Sequence, residues 1–195
     1  MSTNGVKTAK IVFVGQTNVG KSSIVYRGKF EGELRERNPT IAASFDRKTV
    51  IRNGQEVILE MWDTAGQERF NALVPFYFRG SRLCIIVFDL SDNISFKSAD
   101  YWKRLCDKNN LDNTVTYFLV GNKADKEKQV SAEDIIEYCA NNNISYYLET
   151  SAFTGDGITE LYNTMADAII SDGPPPKIDT APLSDQTSYS SYCLC

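Results

Sequence analysis

Residues 11–25 read Ile11-Val-Phe-Val14-Gly15-Gln-Thr17-Asn18-Val19-Gly20-Lys21-Ser22-Ser23-Ile24-Val25. The short β-branched and aromatic run that stops at a glycine predicts a buried strand. Ser22 to Phe30 suits a helix, so Gly15 to Lys21 fall on the loop that joins the two. A polyphosphate needs many hydrogen-bond donors in one concave place. A glycine-cornered loop supplies backbone N–H groups, and the helix behind it adds its positive end. Lys21 can reach the β- and γ-phosphates, and the Ser22 hydroxyl can ligate Mg²⁺. Gly15, Thr17, Asn18, Val19, Gly20, Lys21, Ser22 and Ser23 are therefore the phosphate-binding candidates. This loop alone does not choose between ATP and GTP.

Working outward, Ser44–Arg52 and Gln55–Trp62 flank Asn53-Gly54, a strong two-residue hairpin signal. Leu83–Leu90, Val115–Val120 and the weaker Ser145–Leu148 are further strand candidates. Helical stretches lie between and after them at Ser95–Asn109, Ser131–Asn141 and Ile158–Ile170. The second opens with Ser131 three residues before Asp134, a helix-start signal. Strands alternating with helices predict an α/β fold: a doubly wound, mostly parallel six-stranded sheet with one antiparallel edge strand and helices on both faces. In such sheets ligands sit beyond the carboxyl ends of the strands.

Composition narrows the chemistry. The 195 residues contain no histidine, which excludes Ser-His-Asp and Cys-His mechanisms and His-ligated zinc. The net charge of −4 offers no basic field, so no nucleic-acid partner is expected. Cys84, Cys106 and Cys139 lie in hydrophobic segments and read as buried thiols, while Cys193 and Cys195 end the chain. The start lacks an apolar leader and Ser2 excludes myristoylation. The sequons at Asn93 and Asn143 read as chance matches. Three regions are expected: residues 1–8 as a short extension, 9–171 as the folded domain, and 172–195 as a disordered tail rich in Pro, Ser and Thr.

Two further motifs define the ligand. Val115–Val120 runs into Gly121-Asn122-Lys123-Ala124-Asp125. An aspartate there can accept hydrogen bonds from N1 and the 2-amino group of guanine, a donor pair that adenine lacks. Trp62-Asp63-Thr64-Ala-Gly66-Gln67-Glu-Arg-Phe70 carries an aspartate that can hold Mg²⁺ through water. Its glycine N–H can meet a γ-phosphate, and its glutamine can orient an attacking water.

With Thr40-Ile41 and Glu149-Thr-Ser151-Ala152, these blocks resemble, in order and spacing, the guanine-nucleotide motifs of Ras-like small GTPases of the P-loop NTPase fold, from about Ala9 to Ile170. Within that superfamily the chain resembles the Rab family through Ile41-Ala-Ala-Ser-Phe45, the full WDTAGQERF, Phe76-Tyr77-Phe78-Arg79-Gly80 and Ile86-Val-Phe88-Asp89. The run from Thr40 to Phe45 looks closest to the early-endosomal branch. The resemblance implies hydrolysis of GTP to GDP and phosphate, with Gln67 and Lys21 as catalytic residues. It places Mg²⁺ on Ser22, Thr40 and Asp63, and adds Thr40 and Gly66 to the phosphate contacts. Asn122, Lys123, Asp125, Ser151, Ala152 and Phe153 would hold guanine.

The same resemblance makes residues 31–43 and 64–79 the two switches. Phe45, Trp62 and Tyr77, with Ile41, align with residues that Rabs present to effectors; three core aromatics is the other reading, and both can hold. Implied partners are an exchange factor, a GTPase-activating protein, effectors, Rab escort protein and GDP dissociation inhibitor, acting on a monomer. Cys193-Leu-Cys195 resembles Rab endings that carry two geranylgeranyl groups, and two chains satisfy the two-signal rule for stable anchoring. The expected location is the cytoplasmic face of endosomal or vesicular membranes, in exchange with the cytosol.

Three departures from the family pattern stand out. Glu33 occupies the spacing at which an aromatic usually covers the guanine face, with Phe30 and Leu34 as the nearest apolar residues. Phe153 replaces the usual lysine after Ser-Ala; it either stacks on the base or turns inward or lies idle on the surface. Thr17 stands where Ras has glycine, which implies at most a modest slowing of assisted hydrolysis. These features keep a second class of function open, a nucleotide-binding scaffold with negligible hydrolysis or exchange.

Overall fold

The computed structural model describes residues 5–30, 43–64, 74–110 and 115–171. Thr40, Ile41, Glu33, Leu34, Gly66, Gln67, Cys193, Cys195 and the tail from 172 onward lie outside the described residues.

The elements in chain order are β1 (Lys7–Val14), α1 (Lys21–Lys29), β2 (Ala43–Arg52), β3 (Gln55–Thr64), α2 (Val74–Phe78), β4 (Leu83–Asp89), α3 (Asn93–Lys97), α4 (Ala99–Asn109), β5 (Thr116–Asn122), α5 (Ala132–Asn141), β6 (Tyr146–Glu149) and α6 (Ile158–Ile170). The six strands form one sheet in the order β2-β3-β1-β4-β5-β6. Every pairing is parallel except β2 with β3, the expected hairpin edge. Asn53 and Gly54 both have positive φ, 51° and 75°, which matches the twist of a two-residue hairpin turn.

The central strands are apolar throughout because both faces of the sheet are covered. Ile11 and Phe13 of β1 point into a core closed by Ile24 and Val25 of α1 and by Leu161, Tyr162 and Met165 of α6. Val12 and Val14 point the other way, into a core with Phe96, Trp102, Cys106, Ile135 and Cys139 from α3, α4 and α5. Cys84, Cys106 and Cys139 are buried thiols, as their apolar surroundings predict.

Several boundaries differ from the sequence reading. β1 begins at Lys7, four residues ahead of the strand expected from Ile11. Lys7 and Thr8 pair with Val57 and Ile58 through their backbones, which hydropathy does not register. The helix expected over 95–109 is two helices that meet at Ser98, whose hydroxyl donates to the Ser95 carbonyl (2.7 Å). The first starts earlier, where the Asp92 side chain caps the Ile94 N–H (2.9 Å). Ala43 and Thr64, counted in the switches, are instead strand residues of β2 and β3. Thr64 is buried and its hydroxyl donates to the Phe13 carbonyl (2.7 Å), which ties the end of β3 to β1.

The start of α5 follows the sequence signal: Ser131 Oγ accepts from the Asp134 N–H at 3.1 Å. Ser131→Ala leaves that amide to water, and the expected loss is about 1 kcal/mol. Urea unfolding should show a lower midpoint with an unchanged slope.

Candidate functional site

The carboxyl ends of β1, β3, β4, β5 and β6 carry the polar residues of the motifs. Leaving β1, the chain turns at Gly15 (φ 142°), where a Cβ would lie 2.1 Å from the Val87 carbonyl oxygen of β4. Only glycine lets the loop pass this close to the neighbouring strand. The loop ends at Gly20, in the left-handed conformation that opens α1, and no side chain among the described residues caps that end. The first turn of α1 contains no acidic residue. Its N–H groups and dipole therefore offer a seat for an anion.

Lys21 heads this helix and is only 5% exposed. Its ammonium donates to the carbonyls of Gly15 (2.8 Å) and Gln16 (2.9 Å), which uses two of its three hydrogens. Burial pushes its pKa down to about 8, partly opposed by the negative charge of Asp63. A polyphosphate would relieve that cost by adding negative charge at the same place. Asp63, 2% exposed, is the penultimate residue of β3, and Ser44 Oγ donates to its Oδ2 at 3.4 Å. Val19 is buried, whereas Thr17 and Asn18 are exposed. Asn18 has a positive φ of 66°.

Asn122, the last residue of β5, is 1% exposed. Its Nδ2 donates to the Val19 carbonyl (2.8 Å) in the phosphate loop. Its Oδ1 accepts from the Thr150 hydroxyl (3.1 Å) and the Ala152 N–H (3.1 Å). One side chain thus joins the phosphate loop to the segment after β6. Asp125 is exposed, and its Oδ1 accepts from Ser151 Oγ at 2.5 Å, so the carboxylate is aimed by the neighbouring loop. Lys123, held at φ 63°, pairs with Asp89 Oδ2 at 2.7 Å. Burial raises the Asp89 pKa, but the Lys123 ammonium and two hydrogen bonds from Ser91 outweigh it, and the net shift is downward.

These loops enclose a cavity of about 380 Å³ lined by Asn18, Gly20, Ser23, Asn122, Lys123, Asp125, Lys126, Ala152 and Phe153. Asn18, Gly20 and Ser23 of the predicted phosphate residues thus share one cavity with Asn122, Lys123, Asp125, Ala152 and Phe153 of the predicted base residues, while Gly15, Thr17, Val19, Lys21, Ser22 and Ser151 are not among its lining residues. Phe153 borders it and is 74% exposed. Phe30 is not among its lining residues; that ring packs on Tyr26 with centroids 4.8 Å apart.

Phe45, Trp62 and Tyr77 form a chain of tilted rings, with centroids 5.1 and 6.0 Å apart. Trp62 and Tyr77 pack on the second core while Phe45 is 45% exposed, so the trio both packs and presents a surface.

Four residues hold the site together through contacts that were not assigned from sequence. Thr150 orients Asn122, and Asp89 anchors Lys123. Arg27 of α1 donates to the Thr154 carbonyl (2.9 Å), and Thr64 ties β3 to β1. Asp89 was detectable as a lone carboxylate closing an apolar strand. Thr150 and Arg27 carry no such signal, because their partners are distant in sequence.

A match to the Ras family covers residues 10–171. The chain is 40% identical to the Ras-related protein Rab-21 of Geodia cydonium, over 86% of this chain and 73% of that protein. It is 36% identical to the Ras-related protein Rab5A of Oryza sativa subsp. japonica, over 86% of this chain and 82% of the relative. A probable Rab-related GTPase of Acanthamoeba polyphaga mimivirus is 37% identical, over 86% and 77%. The chain belongs to the Ras family, as a Rab-type small GTPase. Ras-like GTPases bind GTP and GDP and hydrolyse the former, which accounts for a cavity joining an anion seat to a carboxylate.

Asn122→Ala would strand the Val19 carbonyl, the Thr150 hydroxyl and the Ala152 N–H. The expected cost is about 2–4 kcal/mol of unfolding free energy, read by urea titration, together with faster release of bound GDP.

Proposed function

We propose that this Rab-type GTPase works as a membrane-associated switch in vesicular traffic, with the residue roles that follow. The observation that carries the reading is the single buried amide of Asn122, which holds the phosphate loop and the base loop around one cavity.

Gly15, Thr17, Asn18, Val19, Gly20, Lys21, Ser22 and Ser23 cradle the phosphates. The third hydrogen of Lys21, which no described residue takes up, is available to the β- and γ-phosphates. Asp125, aimed by Ser151, accepts from the N1 and 2-amino edge of guanine, with Asn122, Lys123 and Ala152 completing the base site. Asp63 and Ser22 are hard oxygen donors beside the anion seat, which fits Mg²⁺, an ion that takes one or two protein oxygens and fills its shell from phosphates and water. Thr40 joins them. When bound there, Mg²⁺ would supply neutralisation of the phosphates' negative charge. Gln67 orients the water for in-line attack, and the Gly66 N–H meets the γ-phosphate. No arginine serves as a built-in finger in this reading, so turnover by the chain alone is slow, on the order of 10⁻⁴ s⁻¹, and an activating protein supplies the acceleration.

Without the strand residues Ala43 and Thr64, the two switches run over residues 31–42 and 65–79, and their response to the γ-phosphate is what partners read. The Phe45, Trp62 and Tyr77 surface, with Ile41, receives effectors. An exchange factor, an activating protein, an escort protein and a dissociation inhibitor complete the cycle. No helix among the described residues is long and apolar enough to cross a membrane. Attachment through prenyl groups on Cys193 and Cys195 supplies the anchor, and the likeness to Rab-21 and Rab5A supports an endosomal membrane.

Single-turnover hydrolysis of bound GTP tests the switch. Wild type should convert GTP to GDP slowly, and Gln67→Leu should be slower by about tenfold or more. Equal inertness of the two proteins would favour a scaffold that only binds nucleotide.

A further inference from the structure

We infer that the Phe153 ring is a wall of the base site and stacks on the guanine of the bound nucleotide. The inference rests on the guanine-nucleotide reading above and adds the contact that covers the base face.

Phe153 sits on a turn that is pinned from several directions. The Thr154 N–H donates to Ser151 Oγ (3.1 Å), and the Gly155 N–H donates to the Ser151 carbonyl (2.8 Å). The Ser151 N–H donates to the Asp156 carbonyl (2.9 Å), and Arg27 holds the Thr154 carbonyl from α1. The backbone around the ring is therefore fixed, yet the ring itself is 74% exposed. A large apolar side chain held rigidly in the open at a cavity mouth gains nothing from the protein's own core.

The cavity says what would cover it. Among its described lining residues Phe153 is the one aromatic. The others are mainly polar, and Asp125, the edge-reading carboxylate, is fastened to Ser151, two residues before Phe153. The group that reads the base edge and the ring beside its face therefore stand on one rigid frame. Lys123 lines the same cavity, its ammonium fixed by Asp89, so its methylene stem offers a second apolar surface. A flat purine satisfies both demands at once, with polar groups at its rim and π-surface on its faces. Phe30 is engaged elsewhere, on Tyr26 and under the Lys29 ammonium (5.4 Å).

Stacking and edge reading separate experimentally, because a ring face is indifferent to the 2-amino group that distinguishes GDP from IDP. The measurements are release of fluorescently labelled GDP from the full chain and the affinity ratio of GDP to IDP. Phe153→Ala should speed release by about 5- to 150-fold and leave the ratio unchanged. Phe153→Trp should hold GDP as long as wild type, with indole fluorescence that is quenched when GDP binds. Release from Phe153→Ala within about twofold of wild type, or an indole blind to GDP, would overturn the inference while leaving the guanine site intact. A lost GDP preference in Phe153→Ala would also overturn it, since the ring would then act through the Ser151–Asp125 frame. If wild type itself retained no GDP, the underlying reading of the site would fall first.

Discussion

The amide of Asn122 ties three chain segments to one buried point: the phosphate loop after β1, the end of β5 and the loop after β6. A carboxamide has two donors and an oxygen with two lone pairs, and in a fully buried position each unpaired group is costly. Here the oxygen serves Thr150 and Ala152, and one amide hydrogen serves Val19. The phosphate loop after β1 and the base loop after β6 are set at a fixed separation by one rigid group at the end of β5. A contact that stabilises the fold thereby also fixes how far apart the two loops stand.

The sheet explains why such a contact is available. Parallel strands covered on both faces end together on one edge, and the loops that leave that edge are free to diverge in chemistry. Both cores are built from alternating residues of the same strands, so β1, β4 and β5 cannot shift by one residue without exchanging the two cores. The register places Phe88 opposite Gly121 and Asp89 opposite Asn122. Asp89 is thereby brought to Lys123, and the Gly15 turn lies against Val87. The aromatic chain Phe45, Trp62 and Tyr77 lies on β2, β3 and α2, so its surface is built from two strands and a helix at one edge of the sheet.

Electrostatics at the site are arranged for an anion. Lys21 is buried at the head of a helix that no described side chain caps, where burial disfavours its charge and Asp63 only partly offsets that cost. Its two carbonyl contacts keep it folded over the phosphate loop. The loop is thus closed around a cation in a shape that suits a phosphate chain, which limits the reorganisation needed on binding.

Much of this was legible in the residues alone. The run Ile11–Ser22, the Asn53-Gly54 turn, Ser131 and the apolar strands are local signals whose physics acts within a few residues. They predict the α/β sheet, the hairpin edge, the phosphate loop and the start of α5 without reference to the rest of the chain. Asp63, Asn122 and Asp125 were legible as polar residues at the ends of apolar strands, where parallel sheets keep their ligand sites. Three-dimensional packing decided what depends on distant partners. The roles of Thr150, Asp89 and Arg27, the break at Ser98, the start of β1 at Lys7 and the outward placement of Phe153 follow from which groups sit across the fold. Local propensity does not encode those distances. They are fixed only once the sheet has brought remote strand ends together.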